Sequence, residues 1–101
     1  MMTTPNRLVI LKQDLQLLND NSDAYLVSLL TTAETNIIIE GIKNDGSIAY
    51  DMAVIHYAAY LFRKRGADSG DTGMPRFLRY ELNNLLFAQK AKGGDPNIDD
   101  V

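Results

Sequence analysis

Leu8, Leu11, Leu15 and Leu18 stand three or four positions apart, the spacing that lines up one face of a helix. Thr4 is the expected N-cap and Pro5 the first helical residue, because proline lacks the N–H that a first turn leaves unpaired. Asn19, Asp20 and Asn21 end this stripe. The pattern resumes at Leu26, Leu29, Leu30, Ala33 and Ile37, behind Ser22 as N-cap and Asp23 in the first turn, where a negative charge suits the helix dipole. Ile37, Ile38 and Ile39 alone have strand character. Their flanks keep the three–four period, so the second helix is expected to run to about Glu40 and to end or weaken at Gly41. Asn44, Asp45 and Gly46 predict a turn.

Ser47 is the N-cap expected for a third helix, with Asp51 in its early turns. Its stripe is Ile48, Met52, Ile55, Ala59 and Phe62, widened by Tyr57, Tyr60 and Leu61. So broad an apolar face marks a central helix. Arg63, Lys64 and Arg65 place positive charge at its C-terminal end, and Gly66 is a natural stop. Residues 66–73 hold three glycines and two aspartates, a polar loop. Pro75 opens a fourth helix carrying Leu78, Leu82, Leu85 and Leu86, with Phe77 near its start, which fades through Lys90 and Lys92 into Gly93 and Gly94. The fold expected is all-α: one domain over residues 1–92, four main helices, a long loop before the last, and a flexible acidic tail over residues 93–101. Short connections favour antiparallel neighbours.

Composition narrows the function. The chain has 101 residues and no cysteine, which excludes disulfides, thiolate metal sites and a Cys nucleophile. A single histidine, His56, excludes a two-His metal site. No apolar run approaches the 18 or so residues of a membrane span, and the N-terminus lacks the basic and apolar segments of a signal peptide, so no membrane partner and an intracellular setting are expected. Asp95, Asp99 and Asp100 lie in the tail, which leaves ten acidic against ten basic residues over 1–92. A neutral domain lacks the basic footprint of a general nucleic-acid binder.

The motifs that suggest chemistry fail on inspection. A phosphate loop requires Lys and Ser/Thr after its last glycine, whereas Met74 and Pro75 follow Gly73. A calcium loop counted from Asp68 needs a glutamate at its twelfth position and meets Arg79. His56 lies on an apolar helix without an obvious nucleophile, since Ser47 and Ser69 occupy a cap and a loop. No cofactor, metal or catalytic residue is expected, and the protein reads as a non-enzyme. The remaining candidates are surfaces. Arg63, Lys64, Arg65, Arg76 and Arg79 form a basic cluster for DNA or an acidic partner, with Arg76 and Arg79 three apart on one helix face. Asp68, Ser69, Gly70, Asp71 and Thr72 form a candidate assembly loop. Six aromatics, Tyr57, Tyr60, Phe62, Phe77, Tyr80 and Phe87, crowd the last two helices, so one or two belong at an interface. Asn83 and Asn84, unusual together within a helix, point to an inter-subunit contact.

Over residues 6–90 the order of features resembles the small head–tail connector proteins of tailed phages and prophages, also described as DNA-packaging or head-completion proteins. The resemblance rests on Asp20, Asn21, Ser22 and Asp23 followed by Tyr25-Leu26, Leu29-Leu30 and Ala33. It continues with the Ala- and aromatic-rich helix from Met52 to Phe62 that ends in Arg63-Lys64-Arg65, and with the proline-opened last helix from Met74-Pro75 to Gln89. It implies a virion structural protein, present in the host cytoplasm during assembly. Such a protein forms a homo-oligomeric ring beneath the portal protein, extends the DNA channel with non-specific contact to the packaged DNA, and docks the next head-closure or tail protein. The loop over 66–74 and the acidic tail are then expected to touch neighbouring subunits or the portal. A small helical DNA-binding regulator is the alternative. Against it, the break before the fourth helix is too long for a helix-turn-helix, and the helix after Ser22 has no Arg or Lys before Lys43.

Overall fold

The computed structural model describes residues 3–64 and 73–92. Arg65, the candidate assembly loop of Asp68, Ser69, Gly70, Asp71 and Thr72, and the acidic tail lie outside the described residues. The architecture is all-α, with α1 over Thr4–Leu15, α2 over Asp23–Ile39, α3 over Ile48–Lys64 and α4 over Arg76–Lys92. No helix among the described residues is long and apolar enough to cross a membrane.

Local chemistry sets the ends. Thr3 rather than Thr4 caps α1, its hydroxyl accepting the Asn6 N–H at 3.4 Å. The helix stops at Leu15, earlier than the leucine spacing suggests. Gln16 turns left-handed (φ 61°), and the Leu17 N–H reaches back to the Lys12 carbonyl at 2.9 Å. This closes a Schellman motif with glutamine where glycine is usual. Leu18 consequently leaves the stripe and is 97% exposed. Ser22 precedes α2 but makes no side-chain cap bond. At the other end Gly41 takes φ 99°, and the Ile42 N–H bonds the Ile37 carbonyl at 3.3 Å. A glycine permits that turn, which folds Ile42 into the core. Ser47 caps α3 as expected, its Oγ accepting the Tyr50 N–H at 3.0 Å.

Helix α3 is the axle of the fold and packs on each of the other three helices. It buries Tyr50, Ala53, Val54, Ile55, Tyr57, Ala58 and Ala59, three of them small alanines. Leu11 from α1, Leu26, Leu30, Ala33 and Ile37 from α2, and Leu78, Leu82 and Leu85 from α4 complete one core. Each fully buried aliphatic side chain contributes roughly 1.5–3 kcal/mol relative to exposure. Besides Leu18, the stripe residue Ile48 falls outside it, 70% exposed, and so does Phe77 beside the α4 stripe, 58% exposed. Ile48 sits in the first turn of α3, ahead of the segment that the other helices cover, and Phe77 lies on the side of α4 away from Leu78 and Leu82.

Candidate functional site

Charged side chains join the helices in separate groups. The deepest links α1, α2 and α3. Asp51, with no exposed surface, accepts from Arg7 Nε at 2.9 Å and Nη2 at 2.6 Å through one oxygen. Arg7 Nη1 donates to Glu34 Oε1 at 3.0 Å, while the Tyr50 hydroxyl and Asn44 Nδ2 donate to Glu34 Oε2 at 3.0 and 3.2 Å. The guanidinium also lies over the Tyr50 ring, 5.9 Å from its centroid. Burial opposes the Arg7 charge, but bonds to Asp51 and Glu34 outweigh it and hold its pKa above the ordinary arginine value. Burial, followed by the bond to Glu34, pushes the Tyr50 hydroxyl upward. Donors and acceptors here face one another and no nucleophile stands beside them, so the group is suited to locking three helices in register.

Arg7 lies four residues before Leu11, Glu34 four after Leu30, and Asp51 four before Ile55. Each charge therefore falls on an apolar stripe, a signal that spacing alone contains. Asp51, in an early turn of α3 as expected, is the buried partner of Arg7.

Among the described members of the basic cluster, Arg79 stands apart. Arg79 is gripped by Glu40 through two bonds of 2.9 Å, and Asn83 and Met74 Sδ each lie 3.5 Å from it. The Glu40 bond raises the Arg79 pKa. Arg63 turns back to α1, where its Nη2 lies 3.3 Å from the Asp14 carbonyl and 3.4 Å from Asp14 Oδ2. Lys64 Nζ rests 5.7 Å from the centre of the Tyr60 ring. Arg63 and Lys64 do share a groove of about 230 Å³ with His56, Tyr60, Pro75 and Phe77, which brings the end of α3 beside the start of α4. Arg79 does not join them. Arg76 is exposed at the head of α4 and makes no ion pair among the described residues.

His56 is committed as well. Its Nδ1 lies 2.9 and 3.1 Å from the two Glu81 oxygens, with the Phe77 ring 6.3 Å away. The bond to Glu81 raises its pKa; partial burial opposes this, and the charges of Glu81 and Asp14 add to it. The native state therefore holds a proton that the unfolded chain releases near its ordinary value of 6.5. This stabilisation is complete below pH 6.5 and disappears as pH rises through the higher native pKa. Solvent access limits it to roughly 0.5 kcal/mol. Urea melts from pH 5.5 to 9 should show the decline in wild type, and a flatter profile in His56→Gln.

Helix α4 is fastened by Gln89, whose Oε1 accepts the Lys43 N–H at 2.8 Å and whose Nε2 donates to the Lys43 carbonyl at 2.6 Å. With the Glu40–Arg79 pair, this fixes which side of α4 faces the core. The opposite side carries Phe77, Tyr80 and Phe87, exposed by 58%, 68% and 62%. Beside them runs a groove of about 410 Å³ between Phe77, Tyr80, Glu81, Asn84 and Ala88 of α4 and Ala49 of α3. Asn83 lies near Arg79, and Asn84 stands on the exposed side. No group of three or more His, Asp or Glu residues is placed to hold a metal ion among the described residues. The chain matches no family model, no curated protein and no solved structure.

Proposed function

We propose that the protein is a non-enzymatic structural adaptor of a phage particle, a ring-forming subunit that sits under the portal, extends the DNA channel and docks the next head-closure or tail protein. The observation that carries the assembling character of this subunit is the outer face of α4; the ring itself comes from the resemblance. A domain of this size leaves three aromatic side chains more than half exposed along one helix. Exposed aromatics gathered on one face of this kind mark a protein-contact surface. The helix order and the basic end of α3, which resemble the head–tail connectors of tailed phages, add the particle context. Virion incorporation, with a cytoplasmic stage during assembly, follows from the same resemblance.

The charge arrangement speaks against the DNA-binding regulator. Two of the five candidate cations, Arg63 and Arg79, are occupied by Asp14 and Glu40. Sequence-specific readout needs side chains free to reach base edges, and each phosphate contact requires an available cation. Anisotropy titrations with short duplexes of varied sequence at several salt concentrations test the choice. The adaptor should bind weakly and without sequence preference. Tight binding to one sequence, with a steep salt dependence, would overturn the adaptor in favour of the regulator.

A further inference from the structure

We infer that the outer face of α4 is a two-fold contact with a second copy of this chain, the two α4 helices running parallel and in register. The inference rests on reading this face as a protein-contact surface, and not on the ring.

The spacing is the first argument. Phe77, Tyr80, Asn84, Phe87 and Ala91 follow one another at intervals of three, four, three and four. This is the a/d alternation by which two helices interlock. All five are exposed in the single chain. On a 100° helical wheel they lie opposite Leu78, Leu82 and Leu85, the residues that α4 buries against the core. The helix thus has two seams, one used within the domain and one left open.

Charge settles orientation and identity. With Phe77 at position a, Arg76 occupies the preceding g position and Glu81 the following e position. In a parallel pair, g of one helix meets e of the next heptad of the other. Arg76 therefore faces the partner's Glu81, and symmetry makes the pair twice. Glu81 already binds His56 through its carboxylate, which retains lone pairs for a second cation. An antiparallel pair would oppose Glu81 with Glu81 and Arg76 with Lys90. Asn84 falls at a, where a polar pair specifies a dimer in register.

Area is the third argument. An aromatic side chain carries roughly 150–250 Å², so three at about two-thirds exposure contribute roughly 300–450 Å² per chain. Two copies, with Asn84, Ala88, Ala91 and the flanking charges, approach the roughly 1,000 Å² that a specific interface needs. The same face against a polar partner supplies half that apolar area.

A two-fold contact closes at two, whereas a ring requires head-to-tail contacts through other surfaces. A ring assembled from these pairs is a back-to-back double ring. Sedimentation velocity on the full chain at low micromolar concentration should give twice the monomer mass of 11.3 kDa. Phe87→Asp should give monomers with unchanged helicity. Arg76→Glu should weaken the pair at least tenfold, while Arg76→Lys leaves it near wild type. The chain has no cysteine, so Asn84→Cys introduces one thiol, which should cross-link under mild oxidation. Ser28→Cys, on exposed α2, should not. A wild-type monomer, or an Asn84→Cys chain that does not cross-link, overturns the inference. Rings that survive Phe87→Asp unchanged overturn it too and leave the ring standing. Dimers that never grow further support it and remove the ring.

Discussion

Replacing Asp51 with alanine should destabilise the protein by roughly 3–5 kcal/mol, because it leaves the Arg7 guanidinium buried without its main partner. The side chains of the pair are 8% and 1% exposed, so water cannot substitute for the carboxylate. Glu34 remains, but it already accepts from Tyr50 and Asn44. The loss approaches the whole stability of a domain this size, generally 5–15 kcal/mol. Equilibrium urea unfolding followed by circular dichroism measures it. The informative companion is Arg7→Met with Asp51→Leu. Removing both charges together should recover most of the loss, since a buried ion pair contributes little net stability against an apolar replacement of similar volume. A double variant as unstable as the single one would show that the pair is needed for more than charge compensation.

Leu82→Ala should cost roughly 2–5 kcal/mol through the cavity it leaves, while Phe87→Ala, five residues on, should stay within about 0.5 kcal/mol of wild type in the monomer. Leu82 has no exposed surface and Phe87 is 62% exposed, so one helix carries both extremes. Amide exchange should show α4 of Leu82→Ala opening first, because α4 packs chiefly on α3. In the oligomer the order changes: Phe87→Ala should weaken association and Leu82→Ala should act mainly on folding. Equal effects of the two on folding would contradict the two-sided description of α4.

The helices were largely legible in the sequence because capping and termination are local. Ser47 and Gly41 work from within their own turns, and the four apolar stripes need only the helical period to be seen. Leu18 was misplaced because the left-handed turn at Gln16 has no glycine to announce it. On α4 the difficulty was different. Leu78, Leu82 and Leu85 repeat at nearly the same interval as Phe77, Tyr80, Asn84 and Phe87; the leucine stripe is the one expected inward and it is buried, while period alone leaves the second stripe at that spacing unread. Tertiary anchors hold the leucine side inward, namely the Arg79–Glu40 pair and the Gln89 clamp on Lys43. Arg79 stands apart from Arg63 and Lys64 for a related reason. Arg63 and Arg79 find their carboxylates on α1 and at the end of α2, 49 and 39 residues away in sequence. The crowding of aromatics on the last two helices, by contrast, correctly signalled side chains left outside the core.

If this chain is the assembly subunit we propose, it should build closed particles from its own surfaces. Negative-stain imaging combined with sedimentation velocity, over a wide concentration range of the full chain alone, tests it most directly. Pairs should give way at high concentration to closed rings of one uniform subunit number, viewed end-on with an open centre. A chain that remains a dimer or monomer throughout that range, with no closed particle in any image, would contradict it.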